Sequence, residues 1–210
     1  MNFFGHACLA AETRPDAAFV FGAMLPDLAG MAGLRIASVA HATADDGRRF
    51  HYATDAAFHR IERFQSLCLV ATRALSAGGL RRGPARAIGH VGVELLLDGW
   101  LAAEQGVPAL YAEALGLTPA LASAIVFRRQ ADVAPLLELC ERIAAAPLTP
   151  AAWCEPERLA ARLVRILARR PLLALQASEL PAVRAWAASA REEIARVAPA
   201  LLAELRAELA

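Results

Sequence analysis

The chain has 210 residues, of which 57% are hydrophobic and 20% charged, with a formal net charge of +1. That length and apolar content support a substantial buried core and exclude an intrinsically disordered chain. The near-neutral charge removes any global electrostatic case for nucleic-acid binding.

Alanine, leucine, arginine and glutamate dominate, β-branched residues are sparse and alternating runs are absent, so an all-α fold is predicted. A first helix is expected over about residues 2–12. A second opens at Pro15-Asp16 and runs toward Gly30. Asp27 follows Pro26 inside it and by itself reads as a helix-end charge. His41 lies in a loop-like stretch and reads as structural or exposed. Asp45-Asp46-Gly47 is expected to open a long helix to about Ala77, ended by Gly78-Gly79. Pro84 opens another, to about Gln105.

Beyond Gly106 the chain is punctuated by Pro108, Pro119, Pro135, Pro147, Pro150, Pro156, Pro171 and Pro181, and histidine is absent beyond residue 90. The longest charge-free run, 114–127, has 14 residues. It is short of the about 20 apolar residues that span a bilayer, despite the positive mean hydropathy of +0.38. The stretch 181–210 reads as an amphipathic helix bearing arginine and glutamate. With no linker in view, 1–210 is expected to form a single compact helical domain. Residues 1–105 would be its metal-site half and 106–210 a helical scaffold half. The N-terminus lacks the basic start of a secretory signal, so a soluble, cytoplasmic protein is expected. Cys8, Cys68, Cys140 and Cys154 show no C-x-x-C pairing and read as small buried residues.

The chemistry concentrates in the histidines. Five occur, and two of the segments that hold them are ladders: His51-Tyr-Ala-Thr-Asp55-Ala-Ala-Phe-His59 and His90-Val-Gly-Val-Glu94-Leu-Leu-Leu-Asp98. Each sets three potential ligands at i, i+4 and i+8, on one face of a helix. Neighbours four apart stand roughly 5–6 Å from one another and can share an ion. The full span of about 12 Å is too long for a single ion. Each ladder therefore gives at most two ligands to one ion, and the third residue serves a second ion, orients a ligand or meets substrate. Mixed imidazole and carboxylate donors suit Mn²⁺, Fe or Zn²⁺ better than Ca²⁺. The bland alternative is a set of ordinary helical ion pairs worth a few tenths of a kcal/mol each. Arg49, Arg60 and Arg86 stand close to the ladders in sequence and are candidates to hold phosphate.

Three segments resemble the acyl-carrier-protein phosphodiesterase family, a helical group related to HD-type metal-dependent phosphohydrolases. Met1-Asn2-Phe3-Phe4-Gly5-His6-Ala7-Cys8-Leu9-Ala10 resembles that family's M-N-[apolar]-x-x-H-x-x-L-A opening. Gly22-Ala23-Met24-Leu25-Pro26-Asp27-Leu28-Ala29-Gly30 resembles its G-N-x-[apolar]-x-D-[apolar]-x-x-G segment, and His51 with Asp55 matches its H-R-x-I-D core. The segment from His90 to Trp100 resembles its D-x-x-x-D-H-[apolar]-L-x-x-x-W helix more loosely. The chain departs where the family has aspartates, at His59, His90 and Glu94, and where the family's histidine and arginine are replaced by Leu95 and Tyr52. The resemblance covers about the first 105 residues. It implies an HD-like helical architecture and a divalent-metal-dependent hydrolysis that removes 4′-phosphopantetheine from holo acyl carrier protein. It also implies a site built on His6, Asp27, His51 and Asp55.

Together these readings give a metal-dependent phosphodiester hydrolase. His6, Asp27, His51, Asp55, His90 and Glu94 are its expected ligands, and all should converge on one site. His59 and Asp98 would be acid–base or orienting groups, and a phosphoester, with acyl carrier protein as one carrier, the substrate. The rivals are a zinc phospholipase-like hydrolase, a di-iron oxygenase and a non-enzymatic helical binding protein. The i+4 spacing counts against the di-iron reading, because such bundles pair Glu and His at i, i+3.

Overall fold

A computed structural model describes residues 1–146 and 153–209. It is all-α apart from one two-stranded sheet. In chain order the elements are α1 (Phe3–Thr13), α2 (Ala17–Met31), β1 (Ile36–Val39), α3 (Ala42–Arg60), α4 (Glu62–Ala77), α5 (Arg82–Glu104), α6 (Ala109–Gly116), α7 (Thr118–Leu121), β2 (Ile125–Phe127), α8 (Ala134–Ala145), α9 (Pro156–Ala168) and α10 (Leu180–Leu209). Short 3₁₀ turns connect several of them. Among the described residues, no helix is long and apolar enough to cross a membrane.

The chain forms two units. One takes residues 1–56 with the described part of 107–148, the other 57–106 with the described part of 149–210. Each sequence half contributes to both units.

In the first unit α1 and α6 pack on α2, and α8 packs on α2 and α6. Asp16 starts α2 by accepting a hydrogen bond from the Phe19 N–H at 2.9 Å, which satisfies one of the orphan donors of the first turn. Ten of the fifteen residues of α2 are buried, so this helix is apolar nearly all round and enclosed by its neighbours. Phe4, Phe21, Met24, Leu25 and Tyr111 form the centre of this core, all fully buried. Tyr111 meets the Phe4 ring edge-on at 5.4 Å. Helices α2 and α3 approach through two glycines. A Cβ on Gly22 would collide with the Ala44 carbonyl, and one on Gly47 with the Phe19 carbonyl. His41 is exposed and sits at the start of α3, where the Ala44 N–H donates to its Nδ1 at 3.3 Å.

In the second unit α4 packs on α5, α10 packs on both, and α9 packs on α5 and α10. The turn between α4 and α5 needs Gly79 at φ 93°, a left-handed conformation that other residues adopt at a cost. Glu179 ties the entry of α10 to this turn. It takes Arg81 Nε at 3.0 Å, the Arg81 backbone N–H at 3.1 Å and the Gln176 N–H at 2.8 Å.

Three expectations need correction. The long helix expected over 45–77 is two helices, because Ile61 leaves the helix with ψ 122° and buries its side chain. The Gln65 amide then donates to the His59 carbonyl at 2.9 Å and satisfies one end of the break. The helix expected to open at Asp45 opens at Ala42 instead, where the His41 ring accepts from the Ala44 N–H. The two strands carry no signal in the sequence. They pair antiparallel, Ile36 opposite Phe127 and Val39 opposite Ile125, and are too short to show an alternating pattern. Pro147 and Pro150 lie outside the described residues. The prolines at 135, 156 and 181 stand in the first turns of α8, α9 and α10, where the missing N–H costs nothing. As expected, the cysteines are free, three buried and Cys68 half-buried.

Candidate metal centres

Two groups of side chains have the composition and spacing of metal sites, one in each unit. The inner group is His6 on α1, Asp27 on α2 and His51 on α3. They offer donor atoms that all lie within 4.8 Å of one another. Ligands of one tetrahedral ion stand about 3.3 Å apart, so the side chains draw together by up to about 1.5 Å to close on an ion. His6 is fully buried and His51 is 5% exposed.

The hydrogen bonds around the inner imidazoles decide their tautomers. His51 Nδ1 lies 2.9 Å from the Ala23 carbonyl oxygen, so that nitrogen carries the proton and donates. His6 Nδ1 lies 2.9 Å from Thr54 Oγ1. The Thr54 hydroxyl has a single proton, and the Phe50 and His51 carbonyls, each at 2.9 Å, both take it. The hydroxyl therefore accepts from His6. In both rings the Nε2 lone pair is the one left for a cation, the arrangement that outer hydrogen bonds impose on ligating histidines. Burial, then the cost of placing a second positive charge beside the His6 ring 3.9 Å away, pushes His51 down to about 3. It is neutral at physiological pH, as a ligand must be. Asp55 stands beside this group, its Oδ1 3.8 Å from His6 Nε2. The donor set thus fits a divalent ion with mixed nitrogen and oxygen ligands.

A pocket of about 150 Å³ lies in the same unit, and none of His6, Asp27 and His51 lines it. It is lined by Pro26, Ala29, Leu34, Arg35, Ile36, Tyr52 and Arg128. Two of those residues are arginines and none is acidic. The sheet sets the arginines side by side: Arg35 precedes β1, Arg128 follows β2, and the Arg128 N–H donates to the Arg35 carbonyl at 2.7 Å. The Tyr52 ring stands edge-on to His51 at 5.4 Å. A larger groove of about 380 Å³ between α4 and α10 contains none of the histidines, so volume is a poor guide to the chemistry here.

The outer group is His59 on α3 with His90 and Glu94 on α5. His59 Nε2 lies 3.2 Å from His90 Nε2 and 3.3 Å from Glu94 Oε1, and His90 Nε2 lies 3.2 Å from the same oxygen. The side chains of His59 and His90 are 33% and 45% exposed, and that of Glu94 10%. Burial raises the Glu94 carboxyl, but hydrogen bonds from His59 and His90 outweigh it and hold the group below the usual carboxylate range. Burial, then the Glu94 charge, pushes the Cys68 thiol up to about 12, so it stays protonated and is a poor metal ligand at neutral pH.

The eight residues expected at one site are thus distributed. His6, Asp27 and His51 come together with Asp55 beside them. His90 and Glu94 gather instead with His59, which was expected as an acid–base group. Asp98 is fully buried one turn beyond Glu94, where its charge acts on Cys154. Of the arginines expected to hold phosphate, Arg49 pairs with Asp45 at 2.8 Å and Arg60 with Glu208 at 3.2 Å. Arg86 is exposed on α5. The arginines that line the smaller pocket, Arg35 and Arg128, carry no signal in the sequence. Their proximity depends on strand pairing across some ninety residues, and no local signal carries it.

No family model matches this chain, and neither the curated proteins nor the solved structures contain a match to it.

Proposed function

We propose that the protein is a metal-dependent phosphodiester hydrolase whose ion is held by His6, Asp27 and His51. The observation that carries this reading is the clustering of two buried imidazoles, each fixed with Nε2 as its donor atom, with the Asp27 carboxylate. A bound divalent ion supplies positive charge to phosphate oxygens and acidifies water. The chain's own residues would do the rest. Arg35 and Arg128 would hold a phosphodiester by charge-assisted hydrogen bonds from forked donors. Asp55, half-buried beside His6 with its Oδ1 also taking the Met1 ammonium at 3.2 Å, would orient an attacking water. Thr54 and the Ala23 carbonyl would keep both imidazoles in the ligating tautomer.

The resemblance of the first 105 residues to acyl-carrier-protein phosphodiesterases points to a phosphopantetheinylated carrier as the natural phosphodiester. The test is hydrolysis of a small phosphodiester and of holo acyl carrier protein with Mn²⁺, Fe²⁺, Mg²⁺ or Zn²⁺ supplied. His51→Ala should lose the ion and the activity together. Arg128→Ala should keep the ion and lose substrate affinity. Cleavage of the small ester alone would retain the chemistry and reject the carrier. A loaded protein that cleaves neither would end the hydrolase reading.

A further inference from the structure

The outer group has a geometry that hydrogen bonding alone does not explain. Its three donor atoms form a nearly equilateral triangle with edges of 3.2, 3.2 and 3.3 Å. A carboxylate beside two imidazoles is ionised at neutral pH. If both Nε2 atoms carry protons, the two N–H groups face each other across the His59–His90 edge. If only one does, the lone pair of the other faces the carboxylate. No placement of protons makes all three edges attractive, whereas one cation at the centre does.

We propose that His59, His90 and Glu94 bind one divalent transition-metal ion of four-coordinate preference, Zn²⁺ foremost, with the fourth position left to solvent. An ion at Zn–N and Zn–O distances of about 2.0–2.1 Å from all three atoms would subtend ligand angles of about 100–110°. That is the tetrahedral range, so the triangle needs no rearrangement to close on the ion. Two imidazoles and a carboxylate are donors suited to zinc. The exposure of His59 and His90 leaves one side of the triangle open to water. The rings are held in place before binding. They lie parallel within 3°, and the buried Phe64 ring packs edge-on against both, 5.3 Å from His59 and 5.4 Å from His90. The close approach of α4 to α5 at Gly89, where a Cβ would strike Thr72, sets this aromatic wall against His90. The proposal stands independently of the inner site and of the hydrolase reading.

Cobalt substitution tests it on the full chain. Metal-free protein titrated with Co²⁺ should develop the intense visible band of a four-coordinate ion. His51→Ala should keep that band, and His90→Ala should lose both the band and one bound equivalent. His90 is half-exposed, so its truncation leaves the core intact. Glu94→Gln, which keeps the side-chain shape, should weaken the same equivalent by tenfold or more. Azide should shift the band by taking the open position. Parent protein without such a band, or a band retained by both His90→Ala and Glu94→Gln, would overturn the proposal. A band that ignores azide would overturn its open position. Loss of the equivalent in His90→Ala with none lost in His51→Ala would keep this site and remove the inner one.

Discussion

Chelation should act on stability through the inner site, and its size follows from the geometry. An ion bound by His6, Asp27 and His51 joins α1, α2 and α3, which only the folded state brings together. It therefore stabilises by mass action, by about 2.7 kcal/mol at a free concentration one hundred times its dissociation constant. For a chain of this length, that corresponds to a rise in Tm of about 5–11 °C. The measurement is best made in the His90→Ala background, so that the outer group does not contribute. Thermal melts with saturating Zn²⁺ or Mn²⁺ are compared with melts in chelator, then repeated with His51→Ala added. His51→Ala also has a cost in the metal-free state. It removes a buried ring and its hydrogen bond to the Ala23 carbonyl, worth about 1–3 kcal/mol. The decisive quantity is therefore the difference between loaded and chelated melts of the same variant. It should be several degrees with His51 present and near zero without it. Superimposed loaded and chelated melts with His51 intact would refute the argument that these three side chains form a metal site.

Gly47→Ala should destabilise the protein by about 1–3 kcal/mol or more, because the new Cβ meets the Phe19 carbonyl. It should also weaken the inner ion by separating Asp27 from His51, and urea unfolding with metal titration would show a parent-like protein if the crossing were slack. Arg128→Ala, at an exposed position, should leave stability within about 0.5 kcal/mol. It should weaken inhibition by inorganic phosphate about tenfold or more, as expected for a lost charge-assisted hydrogen bond, and unchanged inhibition would remove Arg128 from the phosphate pocket. Hydrogen bonds from Arg81, outweighing burial, hold Glu179 down at about 2 against an ordinary 4.5. Its folded-state pKa is depressed, so its contribution is complete above pH 4.5 and is lost as pH falls toward 2. Urea melts across that window should show Glu179→Gln less stable than the parent at pH 6, by about 1–3 kcal/mol, with the gap narrowing below pH 4.5 and closing only near pH 2. A constant gap would contradict the linkage.

Much of the fold was legible because helices are local. The capping aspartate at 16, the glycines at 78 and 79 and the prolines at 135, 156 and 181 each act within one turn of chain, and the sequence places them without reference to the rest of the molecule. The break at Ile61 was not legible. An isoleucine inside a helical pattern is an ordinary residue until a core exists for it to enter. The ladders were legible for the same local reason: the i+4 period sets His90 beside Glu94 whatever surrounds them.

Which ladder residue belongs to which group was decided elsewhere. His51 and His59 share a face of α3 in the sequence, yet His51 meets His6 and Asp27 while His59 meets His90 and Glu94. That choice depends on how closely α2 and α4 approach their neighbours, at Gly22, Gly47 and Gly89. It depends also on hydrogen bonds from Thr54 and Ala23 that fix which nitrogen faces inward. Arg35 and Arg128 are the extreme case, joined only by the pairing of two short strands. The sequence by itself determined the helices, their caps and the stock of imidazole, carboxylate and guanidinium groups, because those follow from interactions within a few residues. Only the tertiary structure decided the two triads and the arginine pair, because distances between residues remote in sequence are set by packing and have no signature in local periodicity.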